Sequence, residues 1–109
     1  MAPNPAMLRY ILTEEGYTVF QWSDAPGATY GIHKHEDTQS HWVVSGALEM
    51  TVQRVGTFVL EAGDRDFMPV DTYHSVRVVS EEPVIYLIGC RDAAEPTADD
   101  PDDAEEVFS

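Results

Sequence analysis

Four histidines carry most of the chemistry available to this chain. His33, His35, His41 and His74 are the only four in the sequence, and three of them fall within nine residues. An imidazole takes up or releases a proton near neutral pH and ligates Zn, Cu, Fe, Ni or Mn. In a strand, residues i and i+2 project from one face about 6.8 Å apart. His33 and His35 can therefore aim both rings at one ion. Glu36, Asp37 and Thr38 have the composition of a tight turn, and a hairpin centred there sets Gln39 opposite His35 and His41 opposite His33. All four side chains then share a face, with Trp42 turned the other way by strand alternation. An exposed strand decorated with histidines would contain the same His-x-His pair, so spacing alone leaves both readings open.

The elements that must position these rings are short strands. From residue 8 to residue 91 the apolar pattern changes phase every two residues, and turn residues recur at Gly16, Pro26-Gly27, Gly46, Gly56, Gly63-Asp64, Asp71-Thr72 and Glu82-Pro83. Leu48, Met50 and Val52 alternate with Glu49, Thr51 and Gln53, giving one dry face and one wet face. Val84 to Ile88 reads as a strand buried on both sides. No stretch of eleven or more residues shows a helical stripe. The expectation is an all-β domain of seven or eight short strands, closed into a sandwich or small barrel that hides its strand edges.

The length of 109 residues allows one domain and not two. Twenty acids against six bases give a net charge of −14, which excludes a nucleic-acid backbone or an anionic membrane as partner, because both require a basic footprint. The acids are uneven. Residues 92–109 hold eight of them with no base, interrupted by prolines, and read as a solvated acidic tail; residues 1–91 then form the barrel with a short N-terminal arm. The lone Cys90 cannot make an internal disulfide. The start Met1 to Pro5 has neither a basic nor an apolar stretch, and the longest apolar run, Val84 to Cys90, is seven residues, so a cytoplasmic protein is expected. Apolar residues on both strand faces, at Ile32, Trp42, Val44 and Val84 to Ile88, predict a homodimer. Arg54 and Arg77 are read as solvent-facing charge, and Asp71 as a turn residue.

Two separate stretches resemble the motifs of the cupin superfamily. The first motif is matched by Gly27, His33, His35, Gln39 and Gly46, with Gln39 standing where the family carries Glu. The second is matched by Gly63, Pro69, Asp71 and His74, with Asp71 replacing a Gly and Val78 replacing an Asn. Sixteen residues separate Gly46 from Gly63. The resemblance implies a jelly-roll barrel, or double-stranded β-helix, holding one divalent transition metal among Fe, Mn, Ni, Cu and Zn. Its ligand positions are His33, His35, Gln39 and His74. A neutral amide binds metal more weakly than a carboxylate, so Gln39 is a weak ligand or hydrogen-bonds a metal-bound water. His41 could serve as the fourth ligand or as a catalytic proton carrier. The resemblance implies a small-molecule substrate. The leading expectation is a dioxygenase-type oxidoreductase; the alternatives are a metal-dependent isomerase or lyase, and a noncatalytic ligand- or metal-binding module.

Overall fold

A computed structural model describes residues 3–92. In chain order it contains α1 (Pro5–Glu14), β1 (Thr18–Asp24), β2 (Thr29–His33), β3 (Asp37–Ser45), β4 (Ala47–Val52), β5 (Gly56–Glu61), β6 (His74–Val78) and β7 (Val84–Asp92). The strands form two antiparallel sheets, one in the order β1-β7-β3 and the other β2-β6-β4-β5. The jelly-roll expectation and the count of seven strands hold. Residues 93–109 of the expected acidic tail lie outside the described residues; Asp92 is the last residue of β7.

The all-β expectation holds with one addition, a ten-residue helix, below the eleven-residue length at which the sequence shows no stripe. Asn4 caps α1, its side-chain oxygen accepting from the backbone of Ala6 at 2.9 Å and Met7 at 3.4 Å, and Pro5 supplies a preset φ in the first turn. The chain leaves the helix through Gly16, at φ 97. Only Leu8 and Leu12 are buried along it, one narrow i, i+4 stripe in ten residues, and that is too short a signal to stand out from strand patterns. Fully burying two such side chains contributes roughly 1.5–3 kcal/mol each.

α1 lies on the outer face of the β1-β7-β3 sheet. Leu8, Leu12 and Tyr17 pack there with Val44 and Leu87, and with the partly buried Val19, Trp42 and Ile85. The helix thus accounts for β7 being apolar on both faces. It also removes most of the argument for a dimer, because Trp42, Val44, Ile85 and Leu87 are covered by this chain itself. Ile32 is different and stays 78% exposed.

The expected β2–β3 hairpin is also corrected. β2 pairs with β6 and β3 with β7, so the two strands belong to opposite sheets, joined by residues 34–36. Asp37 and Thr38 are already paired with Asp92 and Arg91, which leaves no room for a turn at those positions. β3 and β4 are likewise in different sheets, linked through Gly46 at φ 81. A Cβ at Gly46 would lie 2.8 Å from Val84 Cα and 2.9 Å from the carbonyl oxygen of Pro83, so only glycine fits the crossing.

Between the sheets, Val43, Leu48, Met50, Val52, Leu60, Met68, Val78, Val84 and Tyr86 form the main core. The same interior continues into an open cavity of about 340 Å³ walled by both sheets.

Candidate metal centre

The histidine wall is built on the β2–β6 pair. Thr29 and Tyr30 pair with Arg77 and Val76, and His33 with His74, with a register shift between Tyr30 and His33. That irregularity lets Tyr30 and His33, three positions apart, both line the cavity, which regular alternation would forbid. His35 follows just beyond the strand. Asp71, at φ 62, makes the turn before His74 in the position where the family motif has glycine, and its backbone N–H donates to the His35 carbonyl at 2.9 Å.

The result is convergence. One ligand nitrogen from each of His33, His35 and His74 falls within 4.8 Å of the others. Ring centroids lie 4.3 Å apart for His33–His74, 4.9 Å for His33–His35 and 5.2 Å for His35–His74. Two of the three rings are oriented from behind: Nδ1 of His33 is 2.6 Å from the Gly31 carbonyl and Nδ1 of His74 is 2.9 Å from that of Thr72. A carbonyl only accepts, so each Nδ1 carries a proton, and in the neutral ring Nε2 keeps its lone pair. The Nε2 of His74 is buried and has no hydrogen-bond partner. Burial pushes the pKa of His35 and His74 below the ordinary imidazole value, with repulsion from the neighbouring histidines adding to it. Converging imidazoles, two of them oriented from behind and one with a buried, unsatisfied nitrogen, suit a divalent transition metal, and these residues fit one.

The opposite wall is β3, together with β7. Gln39 and His41 line the cavity, while Trp42 turns outward beneath α1. Gln39 Nε2 donates to Asp37 Oδ1 at 3.2 Å, which leaves its carbonyl oxygen as the atom available to an ion or its water. His41 is inside the barrel, as the sequence implied, but by a different route: it faces the other histidines across the cavity, 6.5 Å from His74 between ring centroids. Its Nδ1 is 3.0 Å from Asp66 Oδ1, and both side chains are buried. Asp66 Oδ1 also accepts from the backbone N–H of His41 at 2.7 Å. Asp66 therefore holds one tautomer and leaves Nε2 of His41 as the nitrogen available to the cavity.

Sequence reasoning missed Asp66. It lies 25 positions from His41, and its only hint is a place between Gly63 and Pro69 in the second motif. The route that joins them is a pair of isolated bridges, Gln39 to Met68 and Trp42 to Arg65. Arg54 and Arg77 do not line the cavity; Arg77 pairs with Glu49 at 3.0 Å.

The structure is a two-sheet jelly roll with a histidine cluster between its walls, the arrangement that the sequence motifs imply. The chain belongs to the cupin family: the Cupin domain profile matches residues 20–89. Among solved structures, a chain from the crystal structures of the DMSP lyases RdDddP and RnDddQII is 27% identical, with a TM-score of 0.63. That match covers 75% of this chain and 40% of the other, so it spans less than half the length of that relative. KdgF from Halomonas sp. is 28% identical at a TM-score of 0.56, covering 67% of this chain and 68% of KdgF. The CENP-C cupin domain of Drosophila melanogaster, 14% identical over 67% of this chain and 59% of its own, shares the fold at a TM-score of 0.62. No curated protein matches the sequence.

Proposed function

We propose that this chain is a metal-dependent enzyme acting on a small organic molecule held between the two sheets. His33, His35 and His74 carry one divalent transition metal, Gln39 adds a weak ligand or binds a coordinated water, and His41 moves a proton. The observation that supports this most directly is the buried, partnerless Nε2 of His74 within a three-histidine cluster. A buried polar atom with no partner costs free energy, and an ion satisfies it. When bound, the metal supplies Lewis-acid polarisation of a substrate oxygen or, if redox-active, an electron source for dioxygen.

The residues favour proton transfer. His41 Nε2 accepts a proton from a substrate carbon or hydroxyl in the cavity, and Asp66 stabilises the imidazolium that results. This supports a lyase or isomerase ahead of the dioxygenase-type oxidation, since a base is present although the motif carboxylate is not. The likeness to DMSP lyase structures leans the same way. The dioxygenase reading stands second, supported by three neutral ligands that leave coordination positions open. A cytoplasmic location and a homodimer belong to the same proposal. The dimer now rests on Ile32, Phe67 and Tyr10, which are exposed.

One experiment separates the readings. Protein without a His-tag is loaded anaerobically with Fe(II), Mn(II), Ni(II), Cu(II) or Zn(II) and given a panel of hydroxy acids, thiols, diketones and catechols, before and after oxygen is admitted. Product formed without oxygen and lost in His41→Gln supports the lyase or isomerase. Metal-dependent oxygen uptake supports the dioxygenase. Saturable ligand binding without turnover under every metal leaves a noncatalytic module.

A further inference from the structure

Part of the cavity wall is aromatic, and its exposure calls for an occupant. On β1 Phe20 and Trp22 line it, and on β2 so does Tyr30. These three are 53%, 51% and 40% exposed, although they face a cavity between sheets. Tyr86 of β7, the ladder partner of Trp22, closes the back of this region. Behind the rings lies Asp24. Its Oδ1 accepts from the Tyr30 hydroxyl at 2.8 Å and its Oδ2 from the Tyr86 hydroxyl at 2.9 Å, while Trp22 Nε1 donates to the Tyr30 oxygen at 3.4 Å. One carboxylate thus orients three aromatic side chains.

That carboxylate has no cationic partner. The ion pairs among the described residues are Lys34–Asp71, His41–Asp66, Arg65–Glu15 and Arg77–Glu49, and none involves Asp24. No Lys or Arg lines the cavity either. Its negative charge reaches the cavity through the two tyrosine oxygens, and both phenols are held above their ordinary pKa, by hydrogen bonding to Asp24 at Tyr30 and chiefly by burial at Tyr86. Aromatic faces attract cations through their quadrupole, most strongly when water is excluded. A neutral apolar guest would use the rings but would gain nothing from Asp24.

We infer that this aromatic end is a subsite for a compact organic cation, an alkylated onium group, held by Phe20, Trp22, Tyr30 and Tyr86 under the charge of Asp24. The inference deepens the proposed function by naming a substrate class. The cationic end is held by these rings, and the reacting end is left to the histidines. It does not depend on the metal, so the two can fail separately.

The test uses metal-free full-length protein and two probes of the same shape, choline and its uncharged isostere 3,3-dimethylbutan-1-ol, titrated by calorimetry and by tryptophan fluorescence. Choline is expected to bind saturably and at least about tenfold tighter than the isostere, the size of a partly desolvated cation–π contribution. Asp24→Asn is expected to bring the two affinities together, and Trp22→Leu to remove both the binding and the fluorescence change. Equal affinity for the two probes in the wild-type chain overturns the inference in favour of a neutral apolar pocket. So does no saturable binding of choline. Neither comparison requires a variant to fold. A chain that refuses all metals yet still prefers choline would sink the metal reading and leave this subsite standing.

Discussion

The two walls of the cavity use the same side chain for different ends. On the β2–β6 wall, His33 and His74 have their Nδ1 atoms at main-chain carbonyls, and His74 is left with a bare Nε2. On the β3 wall, His41 has its Nδ1 at a buried carboxylate, Asp66. A carbonyl orients a ring without adding a charge. A carboxylate orients it and also sets a formal negative charge beside the ring. On the proposed reading, the partner behind the ring, more than the ring itself, separates a ligand wall from a proton-transfer wall.

The largest expected effect breaks the first wall. A structural metal site is worth about 10–16 kcal/mol over its ligand set, so removing one ligand weakens binding by more than about a hundredfold. His33→Ala, His35→Ala and His74→Ala should each do so, whereas His41→Ala should leave the metal content unchanged in elemental analysis. Loss of metal in His41→Ala would make it a ligand and erase the contrast.

Next in size is the second wall. Asp66→Asn should keep the metal and lower kcat by about a hundredfold, the lower end of a general base's contribution, with KM little changed. Asp66→Glu should recover part of the rate, which a merely structural role would not predict.

Gln39 lies on the β3 wall but is proposed to serve the metal, so it sharpens the comparison. Gln39→Ala should weaken metal binding by about tenfold, as for a residue acting through a bound water, and Gln39→Glu should strengthen it. A loss as large as that of His74→Ala would move Gln39 into the full ligand set.

The smallest effect is on pH-dependent stability of the metal-free chain. Burial lowers the folded-state pKa of His35 and His74 from 6.5, so the unfolded chain binds protons more readily than the folded one. The stability that these residues contribute is fully present above 6.5 and is lost as pH falls from there through their lower folded values. His74→Gln should flatten that acid-side decline in chemical denaturation. An unchanged decline would mean that His74 is as solvated as a free imidazole.

Much of the fold is legible in the sequence. The two-residue phase of Leu48, Met50 and Val52 became the dry face of β4, and Val84 to Ile88 became the central strand of its sheet. Three of the expected site histidines converge and Gln39 lines the same cavity. The turn at Glu36 to Thr38 was misread because its residues suit a tight turn and a crossing between sheets equally well. α1 went unread because Leu8 and Leu12 make too narrow a stripe. The apolar outer face of β7 consequently looked like a surface for a second copy.

By itself the sequence determined the strand alternation, the glycine-bearing breaks between strands and the histidine positions, because each depends on backbone preferences and side-chain direction over a few residues. Only the tertiary structure decided which wall each histidine joins, that Asp66 stands behind His41, that Asp24 stands behind two tyrosines, and that a helix covers the outer sheet. Those contacts join residues dozens of positions apart, such as Asp24 and Tyr86 at a separation of 62. They follow from how the two sheets face each other, which no local spacing encodes.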